Sequence, residues 1–369
     1  MCIICDNKYS EDSIKLEITD CDKISFIPSN LPYLDLYITN CNNLITIESD
    51  MYQNIIIKNC ESLKSVIAEK VDYIEIINCN KLENLEIGES VDTVLIKKCK
   101  LLKEIRIPLD KLKIVEIVSC GCEIIEMFKV DKQSKENLES FHLSHLERLE
   151  EIKCESLKCG EVHISFCKKL NLDFKIFREC EELCLKRSGN GFLEVKDFSK
   201  LVRLVIENMI NVIINNNEKL IVIQLYNIKN AIIGESNKMM NNIYARNVGI
   251  KKIEGFSELE SLHCSFCNNL ISVKDNPKLL NCFISNCRII TNVQNILNNN
   301  YDLNLHNCYW LSNNNYQFDS ELYLNKIKKV ISLQTKVRKY LYEKRLGLNR
   351  ELKKYFFEDL RHNILNYVY

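Results

Sequence analysis

The stretch VDYIEIINCNKLENLEIGES, Val71 to Ser90, carries apolar residues at two different spacings. Ile74 and Ile76 flank Glu75, the two-residue period of a strand with one buried face. Cys79 and Leu82 follow at wider spacing, and Leu85 and Ile87 resume the alternation before Gly88, Glu89 and Ser90 turn the chain towards Val94. Only six residues separate Ile87 from Val94, whereas a helix of ordinary length takes about eleven. The pattern predicts a first strand, a turn at the cysteine, a second short strand, and a return that is extended or 3₁₀.

The same frame, apolar-x-apolar-x-x-Cys-x-x-apolar, recurs at LEITDCDKI, LYITNCNNL, IIIKNCESL, VLIKKCKLL and VHISFCKKL. Followed from end to end, it places Cys21, Cys41, Cys60, Cys79, Cys99, Cys120, Leu146, Cys167, Ser188, Met209, Ile228, Val248, Cys267, Cys287 and Cys308 in one column. The steps run from 19 to 21 residues, with one of 26. About fifteen copies at such a period predict a repeat solenoid, one continuous β-rich superhelix over residues 14–318, with residues 1–13 as an N-terminal cap. The inward positions are Ile74, Ile76, Cys79, Leu82 and their equivalents.

LPYLDLYITNCNNLITI, Leu31 to Ile47, resembles the leucine-rich repeat L-x-x-L-x-L-x-x-N/C-x-L in its cysteine variant, and the likeness spans residues 14 to about 312. The unit of roughly twenty residues is short and resembles bacterial effector-type repeats. The resemblance implies a right-handed, curved array with a parallel sheet on its concave face, whose outward side chains bind another protein. In the turn, a thiol is a small weak donor that can satisfy backbone groups leaving the strand. Asparagine stands one place before the column at Asn40, Asn59, Asn78, Asn208, Asn227, Asn247, Asn286 and Asn307, as expected of a turn residue.

Between the two strand aliphatics lies an outward column: Glu17, Tyr37, Ile56, Glu75, Leu95, Glu116, His142, His163, Cys184, Val205, Gln224, Tyr244, His263, Phe283 and Asn304. Aromatic, acidic and imidazole side chains about 4.8 Å apart suit protein recognition, and the candidate contacts are Tyr37, Glu75, Glu116, His142, His163, Tyr244, His263 and Phe283. Phe166 and Phe266, in the two SFC tripeptides, are expected to cover neighbouring backbone at the sheet edge. His142, His163 and Cys184 are soft metal ligands in consecutive repeats, but strand spacing exceeds the ligand separation of a tetrahedral site, so no metal is expected. Cys2 and Cys5 form a lone C-x-x-C and are assigned to the cap.

Composition narrows the class further. Fifty basic and fifty acidic residues leave no net charge, which argues against a nucleic-acid partner or an anionic membrane for the chain as a whole. The N-terminus lacks a basic segment followed by an apolar run, and no stretch of eighteen apolar residues occurs, so no membrane span is expected. Ten of nineteen cysteines sit in the inward column and read as reduced core thiols, and no Asn-x-Ser/Thr sequon is present. A soluble, monomeric, cytoplasmic protein is the expectation. The nine glycines form no phosphate loop or dinucleotide fingerprint, and neither G-x-S-x-G nor H-E-x-x-H appears, so neither catalysis nor a cofactor is expected.

Residues 319–369 change character to helical periodicity. Ile327, Val330, Val337 and Leu341 share one face, and eleven Lys or Arg against two Glu fall within residues 326–354, the mark of a basic amphipathic helix. Two helices capping the last repeat near Trp310 are expected. LQTKVRKYLYEKR resembles an IQ motif at Leu333, Gln334 and Arg338, which implies a calmodulin-like partner or a membrane-surface role. Lys339 stands where that motif has glycine, and Glu343 where it has its last basic residue. The wealth of Ile, Asn and Lys, with the cysteine column, resembles proteins of large AT-rich DNA viruses of protists and would place the chain in host cytoplasm.

Overall fold

The computed structural model describes residues 4–5, 14–27, 33–130, 138–171, 174–188, 191–290, 292–293, 302–306, 308, 332 and 336–337. Within them the first strands of the repeats stack in sequence order from Lys15–Thr19 to Asp302–His306, fourteen successive parallel pairings joining fifteen strands. Their alternation of buried and half-buried positions, as in Tyr73–Ile77, matches the sequence period. Leu16, Leu36, Ile55, Ile74 and Val94 occupy equivalent pairing positions and point into one core that continues from repeat to repeat as far as Cys308. The architecture is a parallel β-solenoid.

The return side is extended, in short ladders. Phe26–Ile27, Thr46–Ser49, Ser65–Ala68 and Asn84–Ile87 form one, and Glu104–Pro108, Ile124–Phe128 and Glu151–Lys153 a second. A third comprises Lys252–Glu254, Ser272–Lys274 and Asn292–Val293. Phe174–Phe177 is a 3₁₀ turn, so both expected return conformations occur. Gly88 is required where it sits: a Cβ there would strike the Glu69 carbonyl, while its own N–H donates to the Ala68 carbonyl at 2.8 Å.

The turn at the column has one signature. Asp20, Asn40, Asn59, Asn78, Lys98, Ser119, His145, Phe166, Arg187, Asn208, Asn227, Asn247, Phe266 and Asn286, each immediately before a column residue, have φ between 48° and 59°. Asparagine tolerates this left-handed region far better than most residues, which explains its place in the sequence. The thiol then closes the turn. Cys79 Sγ lies 3.6 Å from the Ile77 carbonyl, Cys99 Sγ 3.6 Å from that of Lys97, and Cys120 Sγ 3.3 Å from that of Val118. Cys41, Cys120, Cys267, Cys287 and Cys308 also reach a carbonyl of the preceding repeat, at 3.5 to 3.9 Å. Ser188 makes the same two contacts at 2.9 and 3.2 Å.

One expectation is modified. The separate first and second strands merge at Val222–Ile233 and Asn242–Ile250, where the column residues are β-branched Ile228 and Val248; these favour extended backbone and bring no turn-closing donor. The ladder bends there, with a register shift between Ile228 and Ala231. The strands Phe192–Lys196 and Asn211–Asn215 thereby join the large sheet from the return side. The middle repeats keep a filled core without the cysteine. Leu146, Met209, Ile228 and Val248 are all buried and fill the same space.

The caps fall mostly outside the described residues. Ile4 packs against the core. Of the expected C-terminal helices only the isolated positions Ser332, Lys336 and Val337 are described, with helical backbone, and they do not make up an element. Leu333, Gln334, Arg338 and Trp310 lie outside the described residues.

Candidate partner-binding face

Parallel register places the outward column of neighbouring repeats side by side. Tyr37, Glu75, Glu116, His142, His163, Tyr244, His263 and Phe283 all occupy it, each between two buried strand positions and each partly or fully exposed. Two further outward columns flank it, two residues to either side.

Over the first seven repeats charge pairing organises the face. Lys15 Nζ lies 3.9 Å over the Tyr37 ring, Lys58 Nζ pairs with Glu75 at 3.1 Å, and Lys97 Nζ with Glu116 at 2.6 Å. Tyr73 donates its hydroxyl to Glu75 at 3.3 Å; burial and the Glu75 charge raise its pKa. His142 Nδ1 is 3.9 Å from Glu116, but partial burial outweighs that carboxylate and holds the imidazole pKa below its ordinary value.

The His142 and His163 rings meet edge to face with centroids 5.9 Å apart. Cys184 is the register partner of His163, and burial raises its thiol pKa. The three stand in a row rather than converging on one point, and among the described residues no cluster of three or more His, Cys, Asp or Glu has metal-binding geometry. Beside them is a basin of about 680 Å³ lined by Glu161, His163, Glu182, Lys186, Arg203 and Glu207, among others. Arg203 pairs with Glu182 at 3.7 Å and Lys186 with Glu207 at 3.9 Å, and Arg246 lines the same basin.

The later repeats carry an aromatic stack. Centroid separations are 5.4 Å for Tyr226 and Tyr244, 4.5 Å for Tyr244 and His263, and 4.5 Å for His263 and Phe283. Three members came from the predicted column. Tyr226 did not, because it stands two residues towards the turn, and only the register shows that its ring leans into the same row.

At the turn edge Phe166 stacks on His145 at 4.5 Å, with the Arg187 guanidinium 5.5 Å from its ring. The ring therefore covers neighbouring side chains. Ser165 Oγ donates to Ser144 Oγ at 3.0 Å, and Ser144 Oγ is 2.6 Å from His145 Nδ1, which fixes the imidazole. Among the described residues Phe266 makes no ring stack or cation contact of this kind, and it is 47 % exposed.

No family model matches the chain, and no curated protein does. Among solved structures it is similar to a leucine-rich repeat protein from Bacteroides ovatus, 15 % identical over 81 % of this chain and 88 % of the other, with a TM-score of 0.33. It is also similar to a leucine-rich cell surface protein from Faecalibacterium prausnitzii, 14 % identical over 86 % of this chain and 85 % of the other, with a TM-score of 0.17. Scores this low leave the architecture to be read from the strand ladders of this chain alone.

Proposed function

We propose that this protein is a non-catalytic scaffold or adaptor of leucine-rich-repeat type, which binds a protein partner on its concave sheet. The observation that carries this reading is the in-register outward column of half-buried, chemically mixed side chains, aromatic in its later repeats. Aromatic and Arg side chains are the groups enriched at protein interfaces, and a continuous sheet offers them on a rigid support. The buried thiols of Cys60, Cys79, Cys99 and Cys120 agree with a reducing compartment such as the cytoplasm.

The test is an affinity capture from source-cell lysate with three baits: the intact chain, the concave triple variant Tyr37→Ala, Glu75→Ala, Tyr244→Ala, and a return-side variant Phe192→Ser, Ile210→Ser. The return-side pair is exposed at 51 % each. Concave substitution should remove the proteins that the intact chain captures, and return-side substitution should leave them. The reverse outcome overturns the reading.

A further inference from the structure

One concave cation stands apart in its pairing. Lys58, Lys97, Lys186 and Arg203 each have a carboxylate within 4 Å. Arg246, at the outward end of the Asn242–Arg246 segment, is exposed and makes no ion pair among the described residues. The four successive strands from Val222 to Ser285 present no carboxylate on their outward side: the residues there are Val, Gln, Tyr, Asn, Arg, Ser, His and Phe. The nearest acids across the basin, Glu182 and Glu207, are paired with Arg203 and Lys186, so the Arg246 guanidinium lacks the partner that the other concave cations have.

The aromatic row beside it limits what that partner can be. Because Tyr244 and His263 stack and Phe283 packs on His263 with its ring tilted by 30°, the faces between these rings are taken up by each other, and edges and polar tips meet an incoming ligand. Ring edges carry the positive end of the quadrupole and favour oxygen acceptors. A sugar ring or a nucleobase stacks on a free aromatic face, and the faces between Tyr244, His263 and Phe283 are closed to it. A nucleic acid or an anionic membrane also needs many cations, and this surface has one. Tyr, Ser, Asn and Arg together are instead the composition of surfaces that bind polypeptides.

We infer that the concave surface formed by Tyr226, Tyr244, Arg246, His263 and Phe283 binds an extended acidic peptide segment of a partner protein, with one Asp or Glu carboxylate seated on the Arg246 guanidinium. The inference rests on the concave-face reading and names the partner chemistry within it. Bidentate guanidinium–carboxylate pairing supplies orientation, and the ring edges contact the peptide carbonyls and apolar side chains. Four strands about 4.8 Å apart span about 14 Å, the length of four or five extended residues. The footprint is therefore that of a short linear segment.

The test uses the full chain as bait for a phage-displayed library of random dodecapeptides, with R246Q and R246E in parallel, each checked for native circular dichroism. Recovered sequences from the intact chain should be rich in Asp or Glu, and a synthetic peptide from them should lose about tenfold or more in affinity against R246Q by fluorescence anisotropy. R246E should instead recover sequences rich in Lys or Arg. Peptides without acidic residues, or acidic peptides indifferent to R246Q and R246E, overturn the inference. In that event, loss of binding with Tyr37→Ala and Glu75→Ala would leave the concave-face reading standing. Indifference to every concave substitution would remove both. Arg246-dependent binding of anionic vesicles or oligonucleotides with no peptide recovered would replace the inference by a phosphate-binding surface.

Discussion

At the scale of single residues, the turn before each column residue decides what the chain tolerates. Lys98 sits at φ 58° in a position that Asn fills in the repeats on its N-terminal side, Asn40, Asn59 and Asn78. A non-Gly residue there costs about 1–2 kcal/mol, less for Asn than for Lys. Lys98→Asn should therefore stabilise the protein by about 1 kcal/mol in denaturant melts, and no gain would count against the left-handed assignment. The column itself separates hydrogen bonding from packing. Ser188 closes its turn with two short bonds in place of a thiol, so Cys79→Ser should cost less than Cys79→Ala, which is expected at about 1–3 kcal/mol because it leaves turn carbonyls unmet. Asparagine before cysteine was legible as turn chemistry. His145, Phe166 and Arg187 in the same backbone conformation were not, since local preference opposes them there and only their mutual stacking across repeats accounts for the choice.

At the scale of elements, the first strands were readable because period-two alternation recurs along the chain and the cysteine in ten of the fifteen repeats, while the second turn was not. Phe198, Asn217, Asn237, Phe256 and Asn276 form a buried second column, with steps of 19 or 20 residues, over part of the chain only. Asn217 accepts from the Phe198 N–H at 3.1 Å and donates to the Val195 carbonyl at 3.1 Å. Asn237 accepts from the Asn217 N–H at 3.0 Å and donates to the Ile214 carbonyl at 3.0 Å. The mixture of Phe and Asn hides the column from a composition pattern, because one type fills space and the other meets backbone. Asn217→Ala should strand two buried backbone groups and cost about 1–3 kcal/mol for each, measured by urea melts. Asn211→Ala, at an exposed side-chain pair on the return side, should change stability by less than about 0.5 kcal/mol. Equal effects would mean that the second ladder does not hold the turn.

At the scale of the whole molecule, the stacked thiols tie stability to pH. Burial pushes the Cys159, Cys180 and Cys282 thiols up to about 12, and those of Cys167 and Cys308 to about 11. An unfolded thiol titrates near about 8.5. Above that pH the unfolded chain has lost these protons and the folded chain keeps them, so stability falls as pH rises from about 8.5 towards 11 and 12. Calorimetric melts should show Tm declining across that window, and a flat Tm would contradict buried neutral thiols. Among the described residues Asp302–His306 has one partner strand, and a solenoid end of this kind needs cover. Removing residues 319–369 should lower Tm and promote aggregation, whereas unchanged stability together with lost calmodulin capture would assign those residues to recognition. The claim on which the functional reading stands is that the concave column is the interface. Hydroxyl-radical footprinting of the chain alone and in the captured complex compares both faces in one experiment. Protection should fall on Tyr37, Tyr244, His263 and Phe283, with Phe192, Ile210 and Ile232 unchanged; protection confined to those three return-side residues would contradict it.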